Sequence, residues 1–454
     1  MSKTEDPKKS SVPLFSGDET DGMYNAGSIV DLESSSAAPA TEKASPSHQW
    51  DPSEIPDGGV DAWLLVLGAW CAAFCSFGWV NSIGIWQEYY QNGPLSSYSS
   101  STIAWIPSLQ VFFMMGMGPI IGRLFDTFGP RYIVFGGTFL HVFGLMMASI
   151  SKTYYQILLS QGVCSAIGVA AVFQPAINCI PDFFDHKRGA AFGILTTGSS
   201  VGGVIFPIMV SRLIPKVGYG WTMRISAFLI LGLLVIANLT IKKRTPIVPN
   251  KFSFQQMKKP FTEPVTVGVL SGMFLLTFGI WVPIDFITVE AIARGMDTDL
   301  AQYLVAILNA GSFFGRLGSG LVADKVGKFN VFIISCYLTA ILILAMWTPT
   351  ADGDGKTIAF AILFGFFSGT YISLIGGLVA DISPPQELGL RMGLTFLMSS
   401  LPGLTTSPIA GAILDTSGGW DGLKVFGGVF CMAGTTCVVG SRVAKTGWKV
   451  RAKF

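Results

Sequence analysis

Beyond Asp61 the chain repeatedly runs for more than the width of a bilayer without a single charge. None falls between Asp61 and Glu88, between Glu88 and Arg123, between Arg131 and Lys152, or between Lys152 and Asp182. A bilayer core about 30 Å thick needs roughly 20 residues of helix to cross it. No water in that core satisfies peptide N–H and C=O groups, so each segment must close its hydrogen bonds internally, as a helix. Twelve apolar spans follow one another, most of them free of charge, which predicts an all-α polytopic membrane protein. Only 13% of the residues are charged, against about 25% in soluble domains.

The same counts narrow the function. A formal net charge of +2 gives no grip on nucleic acid. The seven cysteines, Cys71, Cys75, Cys164, Cys179, Cys336, Cys431 and Cys437, fall inside predicted spans and show neither a disulfide framework nor a metal-ligand spacing. Three histidines, His48, His141 and His186, stand in unrelated contexts. No phosphate-binding Gly-x-x-x-x-Gly-Lys-Ser/Thr loop occurs, and the spans hold no paired carboxylates or nucleophile–base set. The chain therefore reads as neither an enzyme nor an ATP-driven pump, and it calls for no metal and no cofactor.

An internal repeat fixes the organisation. Residues 301–329 carry Arg316 inside an apolar run and end in a charged turn, Gly320-Leu-Val-Ala-Asp324-Lys325-Val-Gly327-Lys328. Its counterpart is Gly122-Arg123-Leu-Phe-Asp126-Thr-Phe-Gly129-Pro-Arg131. Asp126 and Asp324 lie 198 positions apart, as do Gly129 and Gly327. Two related halves are expected: a disordered tail over 1–55, six helices over 56–241, a cytoplasmic linker over 242–263, six helices over 264–441 and a basic tail over 442–454. Two six-helix bundles joined by a basic loop fit the major facilitator arrangement, with a site between them at mid-membrane. With both termini cytoplasmic, inner loops and tail hold 18 Lys and Arg against 7 outside, the asymmetry the positive-inside rule demands. The plasma membrane is the default address, a vacuolar or other organelle membrane the alternative.

Two stretches go beyond this general arrangement. Pro56-Asp-Gly-Gly-Val-Asp-Ala-Trp63 resembles the acidic-Gly-Gly-aromatic-x-Trp signature of the monocarboxylate transporter family, with one extra residue before the tryptophan. Residues 183–193, FFDHKRGAAFG, look like that family's link between helices 4 and 5. Phe77-Gly-Trp-Val-Asn81-Ser-Ile-Gly-Ile-Trp86 is similar to its fungal members. The resemblance implies that Arg316 stands where the family's substrate-associated arginine would. Animal members carry a helix 1 lysine and an aspartate one turn before the helix 8 arginine; the matching positions here are Asn81 and Ser312.

Candidate site residues follow. Asn309, Ser312, Arg316 and Gly320 repeat at helical spacing and make one polar, small-residue face. A guanidinium in a low-dielectric cavity binds a carboxylate through parallel N–H bonds; the competing reading is an arginine that snorkels to the inner interface or serves the gate. Asn81, Asn178 and Tyr371, with Trp86, Gln174 and Ser373, lie on helices 1, 4 and 10, which the resemblance turns toward the cavity. Each is equally readable as an interhelical hydrogen bond. Asp126, Arg123, Arg131, Asp324 and Lys325 read as a gate that pairs with neighbouring helix ends on the inner side, or as topology anchors. Asp285 is the proton-coupling candidate or a rim residue, and Glu290 and Glu88 are the other acids toward the outer face.

The expected function is secondary active transport of a small organic molecule, a monocarboxylate or other organic anion, by alternating access, with H+ as a candidate second substrate. The alternative is an exporter of a secondary metabolite or a carrier of a vitamin-like molecule. The lipid bilayer is the surrounding partner, and nothing in the sequence specifies an accessory membrane partner.

Overall fold

The computed structural model describes residues 55–245, 257–348 and 353–449. Apart from Ile55, the tail expected to be disordered lies outside the described residues, as do the middle of the linker with Lys251 and the last residues of the basic tail. Among the described residues there is no strand.

The helices follow the charge-free runs. In chain order α1 is Val60–Asn92, α2 Ser100–Phe128, α3 Pro130–Ala148 and α4 Tyr154–Asp182. The stretch Arg188–Thr240 is 53 residues long and breaks at Gly218 (φ 78°, ψ 167°) into α5 (188–217) and α6 (219–240). Then come α7 Pro264–Ala293, α8 Thr298–Val326, α9 Lys328–Trp347, α10 Asp354–Ile382, α11 Pro385–Leu414 and α12 Gly419–Thr446. The twelve expected spans are therefore present, and the chain is a multi-pass integral membrane protein.

One expectation is corrected. The repeated charged segment is not a turn: it stays helical to Phe128 in the first copy and to Val326 in the second. Leu124, Phe125 and Phe128, like Leu321, Val322 and Val326, continue the apolar pattern past the charges, so the helical hydrogen-bond ladder runs on. The reversal is left to one residue in each copy, Gly129 (φ 74°) and Gly327 (φ 104°), where a side chain would be strained.

The apolar core falls into two main clusters, one around Phe74, Phe206 and Ile230 of the first half that also takes in Leu388, Met392 and Phe396 of α11, the other around Met273, Phe332 and Phe364 of the second. Large apolar side chains such as Tyr132, Phe135 and Phe139 face outward on α3, the composition a lipid-contacting surface requires. The halves meet where α5 crosses α8 and α2 crosses α11. Glycine makes both crossings close. A Cβ on Gly189 would sit 2.7 Å from the Gly320 carbonyl oxygen, and one on Gly193 the same distance from that of Arg316. Gly122 and Gly118 meet the backbone of Gly389 and Gly393 in the same way.

Gly129→Ala and Gly327→Ala are each expected to destabilise the protein by at least about 1 kcal/mol, the cost of a side chain at positive φ. Gly136→Ala, in a helix with nothing within 4 Å of the added methyl, is the neutral control. Thermal unfolding in detergent distinguishes the two classes.

Candidate functional site

Between the halves lies a cavity of about 740 Å³. Glu88, Gln91, Arg212, Gln302 and Tyr303 line it and stand at the helix ends opposite the described chain ends, so the cavity opens on that face. Toward the other face, where α1 begins and α12 ends, it is shut.

Local backbone structure brings α1 to the wall. After a π-helical turn at Phe74–Gly78 the helix loosens at residues 81 and 82. Side chains add to the backbone bonds there: Asn81 Nδ2 donates to Phe77 O (2.7 Å) and Ser82 Oγ to Trp79 O (2.7 Å), carbonyls that also accept from the Asn81 and Ser82 amides. The first half contributes apolar groups deep in the cavity, among them Phe77, Val111, Met115 and Phe173, with Thr196 and Ser199 at the floor. The second half contributes the hydrogen-bonding groups Asn309, Ser312, Ser368, Tyr371 and Ser399 beside apolar ones such as Ile280, Trp281 and Phe396.

Arg316 forms the floor, with only 4% of its surface exposed. Its Nε donates to Ser312 Oγ (3.0 Å) and its Nη1 to the Thr196 carbonyl (2.6 Å) and to Ser199 Oγ, both on α5 of the other half. The ion pairs among the described residues all lie elsewhere, so Arg316 has no carboxylate partner. Burying a charge without a counter-charge costs several kcal/mol, and an arriving anion would offset that cost.

The structure thus brings Arg316, Ser312, Asn309, Asn81, Tyr371 and Asp285 to one cavity, and leaves Asn178 out of it. Asn178 is 1% exposed; its neighbour Ile177 lines the cavity, and one residue along a helix turns a side chain by about 100°. Asp285 faces the cavity, accepting a hydrogen bond from Ser407 Oγ (3.3 Å). Glu290 is a correction. It is fully buried, paired with Lys424 (2.6 Å) and Arg294, and accepts from Trp347 Nε1 (3.3 Å). The buried Lys424 depends on it for its counter-charge and the more exposed Arg294 pairs with it as well, which makes it a structural group and not a free proton carrier.

The shut face is built from the repeat. Asp126 accepts from the Gly389 and Leu390 amides (3.0 and 2.9 Å) at the start of α11. Asp324 accepts from the Gly189 and Ala190 amides (2.7 and 2.9 Å) at the start of α5. First-turn amides have no acceptor within their own helix and carry the positive end of its dipole, so a carboxylate suits them. Each aspartate spans from one half to the other. Of the cations expected beside them, Arg123 is half-buried near Asp126, while Arg131 and Lys325 are exposed.

Several groups here escape a reading of the sequence. Asp381, at the end of α10, receives Arg188 (2.9 Å) and Lys328 (2.9 Å). Arg391 is held by Glu263 (2.5 and 2.8 Å) and Glu387 (2.9 Å). Bonding to Arg391 holds the Glu263 carboxyl below its usual range, so this clasp weakens as pH falls through that lowered value. Asp57, at φ 47°, accepts from the Asp185 and Lys187 amides (2.7 and 3.2 Å), and Trp63 packs edge-on against Phe184. The two stretches that carry the family resemblance therefore touch. The available signal was the matched placement of Asp182 and Asp381, each closing an α4-type helix near a proline.

A family model described as Major Facilitator Superfamily matches residues 63–359 and 293–452. The chain belongs to that superfamily. It is 53% identical over 447 residues to the "Fujikurins efflux protein" of Gibberella fujikuroi, covering 97% of this chain and 94% of that one. It is 56% identical over 420 residues to "MFS transporter asaE" of Aspergillus flavus, covering 92% and 95%. The "Aspyridones efflux protein apdF" of Emericella nidulans is 37% identical, over 86% and 79%. Among solved structures, the transporter FucP in its outward conformation aligns with TM-score 0.63 at 14% identity, over 84% of this chain and 99% of that one. The proton:xylose symporter XylE aligns at 0.67 and 15%, over 86% and 97%. These last two establish the fold alone.

If the capping aspartates hold the face shut, Asp126→Ala and Asp324→Ala should each open it. A cysteine at Ile177, on the cavity wall beyond the closure, in a chain freed of its native cysteines, is expected to react several-fold faster with an impermeant maleimide applied from the chain-end side. Equal rates in wild type and both variants would reduce these residues to anchors.

Proposed function

We propose that this transporter exports an acidic, largely apolar organic metabolite. The observation that carries the reading is the cavity itself: an arginine without a carboxylate partner at the floor of about 740 Å³ of space walled on one side by aromatic and aliphatic groups. Cavities of roughly 300–1,000 Å³ suit drug-sized ligands, and a three-carbon acid would leave most of this one unfilled. The efflux names of relatives at 53% and 37% identity support export. The monocarboxylate reading is the weaker one, because Asn81 and Ser312 replace the titratable partners that the resemblance attaches to it. Uptake of a vitamin-like molecule finds no support among these names.

In this reading the termini are cytoplasmic, as the charge count favours, the structure faces outward, and the cell boundary is the natural address. The halves rock about the cavity, Asp126 and Asp324 releasing α11 and α5 as the inner face opens. Substrate enters from the cytoplasm, its acid on Arg316 and its body against Phe77, Phe173 and Met115. A proton entering from outside has Asp285 as its acceptor in the cavity wall.

The test uses inside-out membrane vesicles. Wild type is expected to concentrate aryl and long-chain organic acids but not lactate. Arg316→Ala should lower the rate about tenfold or more at equal abundance, the worth of one charge-assisted hydrogen bond, with Arg316→Lys between. Lactate transport at a comparable rate would overturn the proposal.

The proton arm separates from this. An acidic vesicle lumen is expected to accelerate accumulation by wild type and by Glu88→Gln, but not by Asp285→Asn. Retained acceleration in Asp285→Asn removes it from the proton path.

A further inference from the structure

The closed inner face hides an amide that has nothing to bond. Asn178, 1% exposed on α4, has no hydrogen-bond partner for either Nδ2 or Oδ1 among the described residues. One helical turn before it on the same face, Gln174 (2% exposed) donates Nε2 to the Gly389 carbonyl (3.2 Å). Gly389 is the residue whose amide caps Asp126. The face of α4 carrying both carboxamides is thus tied at Gln174 to the start of α11, an element of the other half.

Neither amide belongs to the wall of the open cavity, although Phe173 and Ile177 beside them do. Parting α11 from α2 breaks the bonds to Gly389 and turns both amides toward the cytoplasmic opening. A simple packing asparagine would have found a partner, since a buried unmatched polar group costs about 1–3 kcal/mol. Here the cost is borne in one conformation and relieved in the other.

We propose that Gln174 and Asn178 form the cytoplasmic loading site of the carrier, taking neutral hydrogen-bonding groups of the substrate, such as amides, ketones or hydroxyls, while Arg316 takes its acid. The proposal rests on the export reading. Two consequences follow from the same geometry. Affinity for a substrate bearing such a group is higher from the cytoplasmic side than from the outside. The unmatched amide also biases the empty carrier back toward the inward-facing state, the return that an exporter needs before reloading.

The probes are labelled N-benzoylglycine, which has a carboxylate, an amide and a ring, and 4-phenylbutyrate, which lacks the amide. Asn178→Leu and Gln174→Leu are compared with wild type in vesicles of both orientations. The KM for N-benzoylglycine from the cytoplasmic side is expected to rise about fivefold or more in both variants, the scale of one lost hydrogen bond. The external KM should not rise, and the cytoplasmic KM for 4-phenylbutyrate should rise by no more than the loss of inward-facing population, clearly less than that for N-benzoylglycine. Labelling at Ile177→Cys, on the cavity wall, from the cytoplasmic side should fall about fivefold in Asn178→Leu, because the closed face is relieved of its unmatched group. Asn178→Ala, which cannot overpack, should behave alike. Equal loss of affinity at both faces overturns the loading site. An unchanged or faster labelling rate in Asn178→Leu overturns it whether or not either acid is moved. Failure of wild type to move either acid counts instead against the export of acidic metabolites.

Discussion

The structure turns on two carboxylates that sit across the interface between the halves. Asp126 and Asp324 each place both oxygens on two successive amides at the first turn of a helix belonging to the other half. Charge-assisted bonds of this kind contribute about 1.5–3 kcal/mol each, and four of them, shielded from water, cross between the halves at the shut face. They are also breakable. An amide at a helix start is equally served by water, so opening exchanges partners and strands no polar group. Glycine at the crossings lets the carboxylates reach: any Cβ at Gly189 or Gly389 would contact an aspartate oxygen or the opposing backbone.

The duplication is symmetric in its gate and asymmetric in its site. Gly118 and Arg316 lie 198 positions apart, as do Gly122 and Gly320. On the first-half side Gly118 packs on Gly393; on the second-half side Arg316 faces Gly193. One copy of the crossing is therefore pure packing, while the other carries the guanidinium. Its bonds to Thr196 and Ser199 make it part of the interface as well as part of the cavity. A ligand that competes for those N–H groups acts directly on a contact between the halves.

Much of this was legible in the chain. Charge-free runs dictate the helices because a bilayer tolerates nothing else, and the offset between Asp126 and Asp324 dictates two halves. The face of Asn309, Ser312 and Arg316 was legible because helical spacing is a local rule. What failed to show is what depends on distant partners. Asp381 is an ordinary helix-end acid until Arg188 and Lys328 meet it. Glu290 is a plausible proton carrier until Lys424 arrives from a helix more than a hundred residues on. The charged segment seemed a turn because polarity was read as a boundary, whereas its apolar residues kept the helix going.

Asn178 belongs to a different class of illegibility. Its residue type and helix suggested a cavity role, yet the structure buries it, and each observation taken alone looks like a contradiction of the other. They agree once the chain is granted two conformations, since sequence records the demands of both while a single structure displays one. A transporter's polar residues need satisfaction averaged over its cycle, not at every point in it. The unmatched groups of one state are then the places to look for the contacts of the other, and on α4 the unmatched amide of Asn178 lies one turn from Gln174 and its bond to Gly389 in the other half.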